Sequence, residues 1–159
     1  MSITIRAAER ADTATILRFV RELAAFEREP DAVVATEPML EAALFGDRPA
    51  AEAVIAERDG QAVGFALFFA NFSTWTGRQG LYLEDLYVTP SARGGGVGKA
   101  LLVHLAGIAR DRGWGRFEWS VLDWNRPAVA FYRAMGARAM DEWTVQRVSG
   151  EALARLAGR

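Results

Sequence analysis

Residues 51–69 carry the strongest constraint on the fold: two β-rich runs, AEAVIAER and QAVGFALFF, are joined by Asp59-Gly60. An Asp-Gly pair suits the positive φ angles of a type I′ turn, which connects adjacent antiparallel strands. A third run, LYLEDLYVTP (81–90), reads as a strand that stops at Pro90. The three runs predict an antiparallel meander, and a hairpin in this place disfavours a doubly wound parallel sheet.

Helical and extended patterns flank the meander. Residues 3–6 alternate like a strand, and apolar residues between Asp12 and Phe26 recur with a 3.6-residue period. The remaining predicted elements are a short helix from Thr36 to Gly46, a polar loop over 71–80, helices over 97–112 and from an Asn125 cap to Gly136, strands over 116–122 and 142–148, and a short helix after Ser149. We expect one α/β (α+β) domain over residues 1–159, with a mixed, mostly antiparallel central sheet flanked by helices.

Composition narrows the classes of function. Apolar residues make up 51% and charged residues 25% of the 159 residues, as in an ordinary globular domain, and the net charge of −1 leaves no basic excess for nucleic acid or an anionic membrane. The absence of cysteine excludes thiolate catalysis and cysteine-ligated metals, and the single histidine, His104, excludes a His-cluster metal site. No apolar run approaches the ~20 residues of a membrane span, and MSITIRAAERAD lacks the apolar core of a signal peptide. We therefore expect a cytoplasmic protein without a bound metal.

The stretch ARGGGVGKALL (92–102) places four glycines in five positions directly before a helix-like run. A Walker A loop fails here, because Arg93 stands where its first glycine belongs and Ala100 where its Ser or Thr belongs. The dinucleotide fingerprint fails at Lys99, which replaces its third glycine. The pattern [Q/R]-x-x-G-x-[G/A] is matched by Arg93, Gly96 and Gly98, after a strand and before a helix.

A loop of this pattern suits an anion. Backbone N–H groups at a helix N-terminus lack partners and favour negative charge, and glycines allow a pyrophosphate to approach them closely. Arg93 adds a cation, and Lys99 starts the helix beside the anion. The loop therefore predicts pyrophosphate binding, whereas a merely flexible connection needs one glycine at most.

Two segments, LYLEDLYVTPSARGGGVGKALL and WNRPAVAFYRAMGA, resemble the GNAT superfamily of acyl-CoA-dependent N-acetyltransferases. The resemblance covers nearly the whole chain in element order, and with LRFVRELAAFE it is most similar to the spermidine/spermine and thialysine N-acetyltransferases. It implies a single GNAT-type domain in which a splayed strand pair holds acetyl-CoA. It also implies acetyl transfer by direct attack in a ternary complex, from acetyl-CoA to a primary amine of a small molecule, and a homodimer.

Two adjacent carboxylates, Glu84 and Asp85, lie in the middle of an apolar strand. A carboxylate there is unfavourable unless it faces a cleft, and a neighbouring carboxylate raises its pKa, so either residue is a candidate general base or anchor for a cationic substrate. The resemblance implies that Glu84 is the base, acting through a water, and that Asp85 contacts the substrate amine. It further implies that Tyr132 is the general acid; by residue type alone Tyr132 is equally a core aromatic.

The remaining site residues are also implied by the resemblance. The strand backbone of Leu86, Tyr87 and Val88 is expected to pair with the amides of pantetheine. The full set of expected acetyl-CoA contacts is Leu86, Tyr87, Val88, Arg93, Gly94, Gly95, Gly96, Val97, Gly98, Lys99, Asn125, Tyr132 and Arg133. Asn125 is expected to act as a helix cap, a cofactor contact or both.

The acceptor pocket is expected to include two aromatic residues, Trp75 and Trp143, because an aromatic face near carboxylates suits a cation. Beside Glu84 and Asp85, further negative charge is expected from Glu27, Asp141 and Glu142. Ser73 stands where polyamine acetyltransferases tend to carry an acid, which favours a smaller diamine or a thialysine-like amino acid over a strict spermidine enzyme.

Two other functions remain open on the sequence. The first is acetylation of a protein lysine or N-terminus, which needs a long open groove. The second is a non-catalytic module that binds or senses acyl-CoA, against which the presence of both Glu84 and Tyr132 argues.

Overall fold

Five strands form one sheet whose spatial order, β1-β2-β3-β4-β5, is also their order along the chain in this computed structural model. They are β1 (Ile3–Ala7), β2 (Glu52–Arg58), β3 (Gln61–Ser73), β4 (Arg78–Val88) and β5 (Phe117–Trp119). Neighbouring strands are antiparallel except β4 and β5, which run parallel. The predicted antiparallel meander, in a mixed and mostly antiparallel sheet, is confirmed.

The structure describes residues 2–158, and the chain divides into two units, Met1–Ser120 and Val121–Arg159. The first unit holds the sheet, two 3₁₀ turns and three helices: α1 (Thr13–Phe26), α2 (Glu37–Phe45) and α3 (Val97–Asp111), with the turns at Arg10–Asp12 and Pro90–Ala92. The second unit holds α4 (Arg126–Ala134) and α5 (Gly150–Leu156). Across residues 2–158, none of the helices combines the length and apolar character needed to cross a bilayer.

Local sequence explains the turns that connect these elements. Asp59 and Gly60 have φ angles of 54° and 78°, so both central residues of the β2–β3 turn adopt the left-handed conformation that a type I′ turn requires. The Thr36 side chain accepts a hydrogen bond from Met39 N at 3.4 Å and thereby caps α2. Both features follow from the residue types that predicted them.

The two faces of the sheet pack against different helices. On one face, Phe19 of α1 packs against Phe65 of β3 and Tyr87 of β4, with ring centroids 5.8 and 5.6 Å apart. On the other, Gly64 of β3 faces Val97 of α3, and the buried side chains of α3 are Val97, Leu101, Leu102, Leu105 and Ala109. Because successive residues of a strand point to opposite faces, α1 and α3 cover the sheet from its two sides.

Gly64 allows this close packing. A Cβ there would lie 2.7 Å from the Tyr87 carbonyl oxygen and 3.4 Å from Val97 Cγ1. We expect Gly64→Ala to lower the free energy of unfolding by about 1–3 kcal/mol, because the contact with backbone is relieved only by moving β4. Urea unfolding measures the change. Gly107→Ala on α3 is the matched control, since nothing lies within 4 Å of its Cβ position, and equal midpoints for the two variants would contradict the prediction.

Three local predictions are wrong. The predicted loop over 71–80 is mostly strand, because β3 runs to Ser73 and β4 begins at Arg78. The predicted strand over 116–122 is limited to Phe117–Trp119. The predicted strand over 142–148 does not form, and all of its residues are exposed. A strand needs a hydrogen-bonded neighbour as well as an alternating pattern, and within residues 2–158 this segment pairs with none.

Asn125 differs in detail from its prediction. It occupies the N-cap position of α4, but its side chain makes no capping hydrogen bond. Pro127 lies in the first turn, where its missing N–H needs no partner. Helix α4 therefore starts as predicted without a side-chain cap from Asn125.

Candidate active site

The two acidic residues of β4 lie at a break in the strand register. Leu67 of β3 pairs with Asp85, whereas the next residue, Phe68, pairs with Leu83. Glu84 is therefore the extra residue of a β-bulge, a feature that re-aims side chains and is common beside active sites. Glu84 is exposed and Asp85 is half-buried, so these neighbouring carboxylates have different surroundings.

Asp85 lies on the sheet face that packs against α1, two residues before the buried Tyr87. The pKa of Asp85 is raised to about 6, mainly because the carboxylate is buried and further because Glu84 and Glu27 are negatively charged. Glu27 directly follows α1, and burial also raises its pKa. The structure thus brings Glu27 and Glu84 within electrostatic reach of Asp85, an arrangement of predicted substrate-binding carboxylates that favours a bound cation.

The glycine stretch forms the connection into α3. Gly94 and Gly96 have φ angles of 81° and 84°, a conformation that favours glycine, and a Cβ on either would meet nothing within 4 Å. The first hydrogen bond of α3 runs from Ala100 N to Gly96 O at 2.9 Å. The N–H groups of the preceding helical residues therefore have no acceptor within the helix. Open space beside these donors fits the predicted pyrophosphate.

β4 has an unpaired edge beyond its midpoint. Among residues 2–158, it pairs with β5 from Leu81–Phe117 to Leu83–Trp119 and then continues to Val88 without a strand partner on this side. Leu86, Tyr87 and Val88 belong to this unpaired part and lead directly to the glycine stretch. The free edge has the hydrogen-bonding groups that an extended amide ligand such as pantetheine needs.

Arg93 makes contacts that the sequence did not predict. Its Nε donates a hydrogen bond to the Val88 carbonyl oxygen at 3.0 Å, and its guanidinium lies over two rings, 5.3 Å from the centroid of Phe26 and 5.7 Å from that of Tyr87. The side chain thus connects the last residue of α1 to the end of β4.

Arg58 is a residue that sequence reasoning missed. It ends β2, and its Nη1 lies 3.2 Å from the position that a Cβ on Gly95 would occupy. No local motif marks Arg58; it approaches the glycine stretch because β2, β3 and β4 are adjacent in the sheet. The Asp59-Gly60 turn was the available signal, since it places the end of β2 at the same end of the sheet as the end of β4.

Trp75 lies in the turn between β3 and β4, at one end of the sheet, and is exposed. A cavity of about 420 Å³ at that end of the sheet is lined by Arg78, Arg110 and Trp114 among others, and it is separate from the glycine stretch. Among residues 2–158, no group of His, Cys, Asp or Glu side chains is suited to hold a metal ion.

The second unit holds the other predicted site residues. Tyr132 lies in α4, is half-buried, and its ring centroid is 5.7 Å from that of Phe131. Asn125 and Arg133 lie at opposite ends of the same helix. Trp143 lies in the irregular segment before α5.

The chain is similar to known proteins over nearly its whole length. The sequence model of the acetyltransferase (GNAT) family matches residues 17–137. The chain is 40% identical to thialysine N-epsilon-acetyltransferase of Sus scrofa over 169 aligned positions, covering 99% of each chain. It is 31% identical to an L-ornithine N5-acetyltransferase of Arabidopsis thaliana, covering 94% of this chain and 85% of that one. Among solved structures, an integron cassette protein from the mobile metagenome of V. cholerae is similar with a TM-score of 0.83 at 28% identity, covering 100% of this chain and 99% of that one.

Proposed function

The chain belongs to the acetyltransferase (GNAT) family, and from this membership we propose that it transfers the acetyl group of acetyl-CoA to a primary amine of a small molecule. The observation that carries the proposal is the order of features along one strand. The bulge at Glu84 and Asp85 is followed by an unpaired strand edge and then by the glycine stretch. An acceptor site and a cofactor site therefore follow each other within about fifteen residues, as acyl transfer between two bound molecules requires.

The residues that would hold acetyl-CoA fit its chemistry. The edge of Leu86, Tyr87 and Val88 offers backbone groups to pantetheine, and Gly94 to Lys99 offer N–H groups and open space to the pyrophosphate. Asn125, Tyr132 and Arg133 stay proposed acetyl-CoA contacts because of the family resemblance. When bound, acetyl-CoA supplies the acetyl group as a thioester.

Three side chains have proposed chemical roles. Asp85 holds the amine by its charge, and Glu84, which the bulge turns to solvent, accepts through a water the proton that the amine loses. Tyr132 holds at its hydroxyl oxygen the proton that the departing sulfur takes. The absence of cysteine supports direct attack by the amine, since no thiol is available to carry the acetyl group.

The acceptor that we propose is a diamino acid with a free distal amine, such as thialysine or ornithine. Two relatives are named for amines of this type. The carboxylates of Glu27, Glu84 and Asp85 suit one ammonium group, and Ser73 supplies no further charge for the remote nitrogens of spermidine. Trp75 and Trp143 remain proposed aromatic contacts. The family resemblance further supports a cytoplasmic homodimer built from one domain over residues 1–159.

The test is release of free thiol from acetyl-CoA with a panel of amines. We expect turnover with thialysine and ornithine at least tenfold above that with spermidine or with a lysine-containing peptide, and the panel includes 1,3-diaminopropane. Because the chain has no cysteine, the protein itself adds no thiol to the assay. No thiol release with any amine, despite binding of acetyl-CoA, would overturn the proposal in favour of a binding module. Preference for the peptide would overturn the small-molecule acceptor.

A further inference from the structure

We propose that Arg58 supplies the side-chain cation to the pyrophosphate of acetyl-CoA, and that Arg93 is a positioning residue that joins the acceptor side of the site to the cofactor strand. This inference rests on the proposed function, since it takes acetyl-CoA as the ligand. The sequence pattern indicates Arg93 alone as the cation for the pyrophosphate. In the structure, we assign that cation to Arg58 and give Arg93 a positioning role.

The role of Arg58 is inferred from the surroundings of Gly95. A Cβ there would lie 3.2 Å from Arg58 Nη1 and 3.4 Å from the Ala92 carbonyl oxygen, so glycine leaves room for the guanidinium against the loop. Gly94 and Gly96, on either side, border open space. A ligand that lies on the loop backbone therefore comes within reach of Arg58.

Arg58 is also free to bind an anion. Within residues 2–158, its side chain makes no hydrogen bond or ion pair. Arginines with a carboxylate partner, such as Arg6 with Asp12 and Glu57, already have their charge compensated. A guanidinium that donates to a phosphate oxygen forms a charge-assisted hydrogen bond, which is stronger than a neutral one.

The positioning role of Arg93 is inferred from the contacts of its side chain. One donor, Nε, is used by the Val88 carbonyl oxygen, and the guanidinium plane lies over Phe26 and Tyr87. Phe26 immediately precedes Glu27, whose charge raises the pKa of Asp85. Arg93 therefore fixes the end of α1, and with it one carboxylate of the acceptor site, against the strand edge that would hold pantetheine.

The roles proposed for Arg58 and Arg93 predict changes in different constants. Loss of Arg58 weakens binding of coenzyme A, whereas a change at Arg93 raises KM for the amine. Isothermal titration with coenzyme A, 3′-dephospho-coenzyme A and pantetheine measures binding without turnover. For Arg58→Gln we expect Kd to rise about tenfold for both nucleotide-bearing ligands and to stay within twofold for pantetheine, which has no phosphate. Arg116→Gln removes the same charge at the other end of β4 and is expected to leave all three constants within twofold.

The substitution Arg93→Lys distinguishes a positioning role of Arg93 from a role in binding the pyrophosphate. Arg93→Lys keeps the charge but loses the Nε donor and the planar face. We expect it to raise KM for the amine by fivefold or more, with Kd for coenzyme A within threefold of wild type. Thermal unfolding of each variant confirms that it is folded.

Three results would overturn the inference: unchanged coenzyme A binding by Arg58→Gln, an equal loss for pantetheine, or an Arg93→Lys variant with the wild-type amine KM. A pyrophosphate role for Arg93 would instead appear as a tenfold loss of coenzyme A binding in Arg93→Gln that Arg93→Lys restores. Failure of the proposed function itself is distinguishable, because it would appear as a wild-type protein that releases no thiol from acetyl-CoA with any amine, whereas the titrations measure binding without turnover.

Discussion

Asp85→Asn is expected to stabilise the protein at pH 8 while impairing the enzyme. The folded protein raises the pKa of Asp85 to about 6 from an ordinary value of 3.8, chiefly by burial and then by the charges of Glu84 and Glu27. Between these two values the folded chain retains a proton that the unfolded chain has lost. Stability therefore falls as the pH rises from about 4 to about 6, and it stays lowered above that range.

Asparagine carries no charge, so the Asp85→Asn variant does not lose this stability as the pH rises. A pKa difference of this size corresponds to roughly 2–3 kcal/mol, or about 5–10 °C in Tm for a chain of this length. We expect that gain at pH 8 and a gain near zero at pH 4, with at least a tenfold rise in KM for the amine. Thermal unfolding across the pH range and steady-state kinetics measure the two effects.

Asp111→Asn is the matched control. Asp111 is an exposed aspartate at the end of α3 that pairs with the exposed Arg110, and its replacement is expected to change stability at pH 8 by less than about 0.5 kcal/mol. A gain in Asp85→Asn that is equally large at pH 4 would indicate a packing effect and contradict the electrostatic cause. So would a variant less stable than wild type at pH 8.

The fold follows from local sequence where residue type and conformation are tightly linked. Asp59-Gly60 predicted its turn and hence the meander, and the glycines of the loop predicted the left-handed backbone at Gly94 and Gly96. The strand predicted over 142–148 has no pairing partner within residues 2–158. A local run of residues can favour a strand, but pairing depends on residues far away in the chain.

The candidate site, too, was predictable from local sequence only in part. Glu84 and Asp85 were recognisable as unusual, because two carboxylates interrupt an apolar strand, but the bulge that separates their surroundings depends on the register with Leu67 and Phe68. Arg58 approaches Gly95 across the sheet, and Arg93 turns to Phe26, which is 67 residues earlier in the chain. Contacts of such long sequence separation have no counterpart in a local motif.

The second large effect is expected for Tyr132→Phe, which removes one oxygen from the proposed general acid. A phenol suits this role because its pKa lies not far above that of a thiol, so it protonates the leaving sulfur without being ionised at neutral pH. We expect kcat to fall by about 100-fold, within the usual range for loss of a general acid. Because the ring remains, Kd for coenzyme A is expected to stay within threefold of wild type.

Tyr82→Phe separates loss of the acid from loss of a tyrosine hydroxyl in general. Tyr82 lies on β4 and its hydroxyl is 3.0 Å from Ser120 Oγ, outside the residues proposed for either ligand, so its replacement is expected to leave kcat within twofold. Single-turnover measurements at saturating acetyl-CoA and amine report the chemical step, and titration with coenzyme A reports the binding site. Wild-type turnover in Tyr132→Phe would exclude the acid role, and an equal loss in kcat and in coenzyme A affinity would make Tyr132 a binding residue. A slow variant that still binds coenzyme A and remains folded would place the proton for the leaving sulfur on the Tyr132 hydroxyl.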